Sequence, residues 1–572
     1  MSMYKVFALS FLLFSCSHIV TVPLAPGEDR LKHQQVGEQA AIATQGPYAS
    51  AAAQMILSMG GNLVDAAVAS SFVISVERPQ STGLGGGGFL LYYKPGMLQP
   101  VSFDFREQAP LKAHSKMYLD AKGNEIPKLS LDGSMAVGVP GLVAGLFEFH
   151  RQYGKLDWDL VLGPAIDLAE HGFEVYPELA EAIKDRQSVL AQFPDSKKIF
   201  LNKEGKALVQ GDWLFQKDLA QTLRIIAEQG DKGFYQGALA KKLTSSIVSH
   251  GGLWSKEDLS SYKVKERTPI YGNYKGYGIY SMAPPSSGGV HVIQILNMVE
   301  NDELGKYGAQ DPRSVHLIAS SMQQAFADRA AHLGDSDFVN VPIEDLSSKN
   351  YALDKRHLIP KNRALKKDEV TPFKVKEIVE PDHTTHFSMM NNKGEVVVST
   401  QTINGWFGSG LVAEGTGVVM NNEMDDFATK VGASNLFGAV GGSQNLVEPK
   451  KRPLSSMSPT IVLKDGMPLL GVGTPSGTRI LTCVAQTLLN VLEFKMNSWD
   501  AVSALRYHHQ WSPDQLRFES DLLPESLKED LTEMGHDVVI KDLGCRIQLV
   551  KSNGAQLEAV SDPRGSGEAR AW

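Results

Sequence analysis

The sequence predicts mixed α and β layers, on three observations. Residues 48–74 and much of 142–337 read as helix, from small or amphipathic repeats. A strong hairpin pattern opens at residue 385. Further strands and another helix follow towards the C-terminus, so helices and sheets must cover each other's apolar faces. At 572 residues, one large or two intertwined compact units are expected.

The elements follow in order. Lys5 precedes an apolar run, 6–14, too short to span a bilayer, and Leu13-Phe14-Ser15-Cys16 closes it. This resembles a bacterial secretory signal over 1–16 with a lipoprotein cleavage box ending at Cys16. The expectation is export across the inner membrane to the periplasm, with Cys16 as the lipidation point. Phe14 is uncommon in such a box, which leaves an ordinary signal cut slightly later open. No other stretch is long and apolar enough to cross a membrane.

After the helical stretch 48–74, Gly83-Leu84-Gly85-Gly86-Gly87-Gly88 opens an apolar strand, 89–93. No Gly-Lys-Ser/Thr follows and the order is loop to strand, so the glycines read as backbone that approaches something closely, not as a phosphate cradle. Amphipathic segments at 219–229 and 291–299 lie in the mostly helical middle. The second is entered through Pro284-Pro285-Ser286-Ser287-Gly288-Gly289. Residues 340–382 are charged, Lys-rich and poor in apolar periodicity, an exposed place where a chain can be cut without losing its core. Strands are expected at 385–390 and 395–403 around an Asn391–Gly394 turn, then at 459–463 and 538–550, with a helix at 498–508.

Composition narrows the function. Hydrophobic residues are 42% and charged residues 21%, which excludes disorder and fibre. The net charge of −8, without a basic stripe, argues against nucleic-acid binding. No cluster has zinc-site spacing, and the adjacent His508 and His509 are poor partners for one metal; no metal is expected. With Cys16 set aside, Cys483 and Cys545 remain; a disulfide between them stays open.

No Gly-x-Ser-x-Gly elbow supports serine-triad chemistry. Folding the 385–403 hairpin about its turn brings Thr384 opposite Gln401 or Thr402, the latter placing a second hydroxyl beside the first. Threonine is a weak nucleophile until a base takes its proton. Breaking the bond after His383 would give Thr384 an α-amino group with pKa near ~8, a base built into the nucleophile itself.

The segment Thr384-Thr385-His386-Phe387-Ser388, residues 405–426, and Arg452-Pro453-Leu454-Ser455-Ser456-Met457-Ser458-Pro459 together resemble the γ-glutamyltranspeptidase family. Asp104-Phe105-Arg106-Glu107, the 83–89 glycine run, the 284–289 block and the tail Glu558-Ala559-Val560-Ser561-Asp562-Pro563-Arg564-Gly565 match too, so the resemblance runs from about residue 36 to the C-terminus. It implies an α+β fold: an αββα four-layer sandwich of the N-terminal nucleophile hydrolase type, two stacked sheets flanked by helices. It implies a heavy chain, 36–383, and a catalytic light chain, 384–572, paired as a heterodimer after self-cleavage between His383 and Thr384. Thr384 would be the nucleophile and Thr402 its support, with the Ser476 and Gly477 amides holding the oxyanion. Asn404, Glu423 and Asp426 would meet a substrate's α-amino end, and Arg106, Ser455 and Ser456 its α-carboxylate. Such pairing makes physical sense, because a γ-glutamyl group ends in a zwitterion and Arg grips carboxylate with two parallel hydrogen bonds. The implied partners are glutathione and other γ-glutamyl compounds as donors, with water, amino acids or short peptides as acceptors; no cofactor is implied.

The sequence departs from the family pattern at one point. Gly473-Thr474-Pro475-Ser476-Gly477 stands where two adjacent glycines are usual, and serine would be strained if that position needs positive φ. Residues 430–451 resemble the lid loop of some family members, with Phe437 where a tyrosine walls the site. A related self-processing acylase (β-lactam side-chain or poly-γ-glutamate type) and a non-catalytic surface lipoprotein are the rival readings.

Overall fold

The computed structural model describes residues 19–24, 29–370 and 384–572. The expected leader with Cys16, and His383 of the expected cleavage site, lie outside these residues.

Two seven-stranded antiparallel sheets form the centre. The first runs, in spatial order, Glu568–Ala571, Ala40–Thr44, Thr385–Asn391, Val396–Thr402, Gly87–Tyr93, Val101–Asp104 and Lys265–Arg267. The second runs Gln34–Gly37, Leu557–Ser561, Gln548–Ser552, Met467–Gly473, Thr460–Lys464, Tyr277–Ser281 and Ile270–Tyr274. Strand alternation decides the layering. Phe89, Leu91, Tyr93, Val396 and Val398 pack in one core with Ile461, Leu470 and Val472 of the facing sheet. Leu90, Tyr92 and Val397 point the other way, into a second core with helices Pro47–Ser58, Leu63–Glu77 and Leu142–Tyr153. Helices Gly288–Val299, Pro312–His332 and Arg479–Leu492 cover the opposite side. This is the four-layer αββα arrangement.

Several elements differ from expectation for local reasons. The 48–74 helix is two helices: Gly60, at φ +90°, breaks it, and Asn62 starts the second through a capping box with Asp65. The segment taken as amphipathic at 291–299 is helix Gly288–Val299, with all twelve residues buried between a sheet and other helices. The helix expected to 508 ends at Ser503, because Tyr507–His508 pairs with Leu516–Phe518. The strand expected over 538–550 is two: Val538–Ile540 joins that small sheet, and Gln548–Ser552 the large one. Within 340–370, helices Ile343–Leu346, Lys349–His357 and Lys367–Val370 form despite weak periodicity. Cys483 and Cys545 form a disulfide, S–S 2.11 Å, tying helix Arg479–Leu492 to the loop before Gln548.

Candidate active site

The hairpin positions the candidate nucleophile. Thr385 pairs with Gln401, so Thr384 arrives at Thr402, and the two Oγ1 atoms lie 3.5 Å apart. The glycine run holds that strand close: a Cβ on Gly86 would come 2.1 Å from the Thr402 carbonyl oxygen, and one on Gly88 2.5 Å from that of Thr400. The Asn404 N–H donates to Thr402 Oγ1 at 2.8 Å, with Asn404 itself at φ +73°. Asparagine tolerates that region better than most residues.

Thr384 borders two cavities. The inner one is narrow and is lined by nine of the sequence-predicted residues: Arg106, Thr384, Thr402, Asn404, Glu423, Asp426, Ser455, Ser456 and Gly477. The outer cavity is wider, and Ser476 lines it together with Thr384, Trp406 and Glu77.

Charge organises the inner cavity. Arg106, 1% exposed, donates through Nη1 to Glu423, through Nη2 to Asp426 at 2.5 Å, and through Nε to the Pro453 carbonyl at 3.3 Å. Burial pushes the Glu423 carboxyl well above its usual range, and the nearby Glu107 and Asp426 add to the rise against the pull of Arg106. Asp426 is raised by burial too, although Arg106 opposes it. Burial lifts Glu107 to about 7. Acid thus outnumbers the base it surrounds.

The Pro284–Gly289 block explains the paired serines. Ser287 donates through both its N–H and its Oγ to the Ser455 carbonyl, each at 2.8 Å, and the Ser455 N–H donates to the Pro285 carbonyl at 2.8 Å. The 430–451 loop closes the cavity: Asn435 Nδ2 donates to Asp426 at 2.6 Å and the Leu436 N–H to Asp425 at 2.7 Å. Phe437 then walls the site, so near Gly477 that a Cβ there would sit 2.3 Å from its ring.

Ser476 adopts φ +111°, the strained region foreseen for that position. Its Oγ donates to the Leu543 carbonyl, which also accepts from Arg479 Nε at 3.1 Å. A side-chain tether thus offsets part of the strain. His386 is no base for the threonine pair. Burial drops its pKa to about 3, and its nitrogens contact Thr400 and Ser388.

A sequence pattern describing the gamma-glutamyltranspeptidase family matches residues 49–572. The chain belongs to that family. Membership makes it an enzyme of the acyltransferase and hydrolase class. A glutathione hydrolase proenzyme of Escherichia coli (strain K12) is 42% identical over 557 residues, covering 96% of this chain and 95% of the relative. The crystal structure of Helicobacter pylori gamma-glutamyltranspeptidase superimposes with TM-score 0.56 at 43% identity, over 57% of this chain and 93% of that one. A cephalosporin acylase from Bacillus halodurans superimposes with TM-score 0.84 at 26% identity, over 97% of this chain and 99% of that one.

Sequence reasoning about this transpeptidase missed Arg329, which also lines the inner cavity. Its signal was an arginine inside the small-residue run Ala325-Phe326-Ala327-Asp328-Arg329-Ala330-Ala331 of an otherwise buried helix. Asn435 was missed as well, hidden in a loop without periodicity.

Proposed function

We propose that the chain is a self-processing γ-glutamyltransferase and glutathione hydrolase with Thr384 as its nucleophile. Exported through residues 1–16, with Cys16 as lipid anchor, it would work in the periplasm. Thr384 Oγ1 attacks the His383 carbonyl, the peptide C–N bond breaks, and water hydrolyses the resulting ester, leaving a heavy chain that ends at His383 and the light chain 384–572. The new α-amino group then takes the Thr384 hydroxyl proton as Oγ1 attacks the γ-carbonyl of glutathione or a related γ-glutamyl amide. The Ser476 and Gly477 amides hold the oxyanion, the departing amine receives the proton, and an acyl-enzyme remains. Water, an amino acid or a short peptide releases the acyl group. Asn404, Glu423 and Asp426 receive the donor's ammonium; Arg106, Ser455 and Ser456 receive its α-carboxylate.

One observation carries this reading: a single small cavity joins the Thr384–Thr402 pair to both acids and bases suited to a zwitterion. The purified protein should run as two chains and hydrolyse γ-glutamyl-anilide, while Thr384→Ala runs as one inactive chain. An uncut, fully active protein would overturn the nucleophile assignment. The acylase-like neighbour motivates the second reading, and glutaryl-anilide separates the two. It lacks both α-substituents, so a transferase rejects it and an acylase accepts it.

A further inference from the structure

We propose that Arg329 is a second anchor for the donor's α-carboxylate, beside Arg106. The inference rests on the γ-glutamyl reading above and adds a second cation to the carboxylate's side of the site.

All three nitrogens of Arg106 already have acceptors: Glu423, Asp426 and the Pro453 carbonyl. A guanidinium that already serves two carboxylates leaves a third in need of further donors. Arg329 is equally buried, at 4% exposure, and lines the same cavity. Among the described residues its guanidinium makes one hydrogen bond, from Nε to Ser287 Oγ at 3.0 Å, and no ion pair. Its two terminal nitrogens, the edge that matches a carboxylate, keep their donors unspent.

The position of that single bond is informative. Ser287 Oγ donates to the Ser455 carbonyl at 2.8 Å and lies 3.5 Å from Ser456 Oγ. Arg329 is therefore tied through Ser287 to the paired serines, on the lining of the cavity they share with Asp426. Burial lowers the Arg329 pKa to about 10, with Asp426 resisting and Arg106 adding to the fall, so it stays charged at neutral pH while lacking a close counter-ion. A bound carboxylate between Arg329 and the two serine hydroxyls would supply that counter-ion. It would also leave Glu423 and Asp426 for the ammonium.

The test compares two donors, γ-glutamyl-anilide and the same anilide with its α-carboxylate converted to a carboxamide. The wild type should prefer the acid. Arg329→Gln should still split into two chains, and its kcat/KM ratio of acid to amide should fall by at least about tenfold, the loss of one charge-assisted contact. Arg329→Lys should recover part of the ratio, and it replaces Arg329→Gln should that variant fail to split. Ser287→Ala removes the Nε acceptor together with the Oγ contacts to the Ser455 carbonyl and Ser456, so it reports how far propping of the serine pair alone matters. If Arg329→Gln and Ser287→Ala slow both donors equally and leave the ratio intact, Arg329 is a prop and the proposal fails. If instead the wild type accepts glutaryl-anilide as readily as γ-glutamyl-anilide, the γ-glutamyl reading itself falls.

Discussion

Two buried arginine–carboxylate networks differ in a way that separates holding a fold from binding a ligand. In the C-terminal network, Arg506 and Arg564 flank Asp562 at 2.5 and 2.9 Å, and Arg564 reaches Glu519 at 2.7 Å. Two bases meet two acids. Burial alone would raise Asp562, but Arg506, Arg564 and Arg546 reverse this and hold it below the usual carboxylate range. At the cavity, Glu423 and Asp426 on its lining, with Glu107 3.8 Å from Arg106 but off the lining, crowd one committed guanidinium, and all three are raised by burial. The first network is complete within the protein. The second presents raised acids and, in Arg329, a further guanidinium to one shared cavity, groups of both signs such as a zwitterion requires.

The contrast breaks first on stability. Asp562→Ala should cost about 3–5 kcal/mol, since it leaves two buried guanidinium groups sharing the single carboxylate of Glu519. Calorimetry should show a large fall in Tm, and a change of under about 1 kcal/mol would mean that the network is ornamental. Asp426→Ala should show the reverse pattern. It should still split into two chains and melt near the wild type, but lose about tenfold to over a hundredfold in kcat/KM on γ-glutamyl-anilide, the equivalent of about 1.5–3 kcal/mol.

The pH profile sharpens the comparison. Asp562 has a depressed folded pKa, so its stabilisation is present above the unfolded value and lost as pH falls below it. Glu107 has a raised one, so folding binds an extra proton between about 4.5 and about 7, and stability declines as pH rises through that window. Glu107→Gln should therefore flatten the decline in Tm from pH 5 to 7.5, only in part because Asp425 and Glu77 are also lifted to about 7. An unchanged slope would show that Glu107 is not the group that titrates.

The smallest effect lies outside both networks. Ser476→Gly removes backbone strain worth about 1–3 kcal/mol but also the Oγ tether to Leu543, worth about 0.5–1.5 kcal/mol. Stability should rise by about 1 kcal/mol or less, with kcat/KM equal or higher. A tenfold drop would assign the serine hydroxyl a role in the reaction.

Much of this was legible in the chain. The Asn391–Gly394 turn sets the hairpin register, and with it the meeting of Thr384 and Thr402, because a one-residue slip would bury the wrong face. The strain at Ser476 could be anticipated because a serine there invites the question of φ. Long-range packing was not legible. Tyr507–His508 became strand because Leu516–Phe518 offers a partner, and nothing local announces that. Arg329 escaped notice because its meaning comes from Ser287, forty-two residues earlier in sequence, and from a cavity no periodicity reveals.

The strand order of the first sheet has a mechanical consequence. Ala40–Thr44 and Gly87–Tyr93, from before residue 384, flank the hairpin that follows it, and Glu568–Ala571 closes the edge beyond Ala40–Thr44. A break between 383 and 384 therefore opens no seam: each fragment is stitched into the other through continuous ladders. The halves could part only by melting the whole sheet. Fragments from two variants, mixed after assembly, should never trade places, and halves made separately would have to fold together from the start.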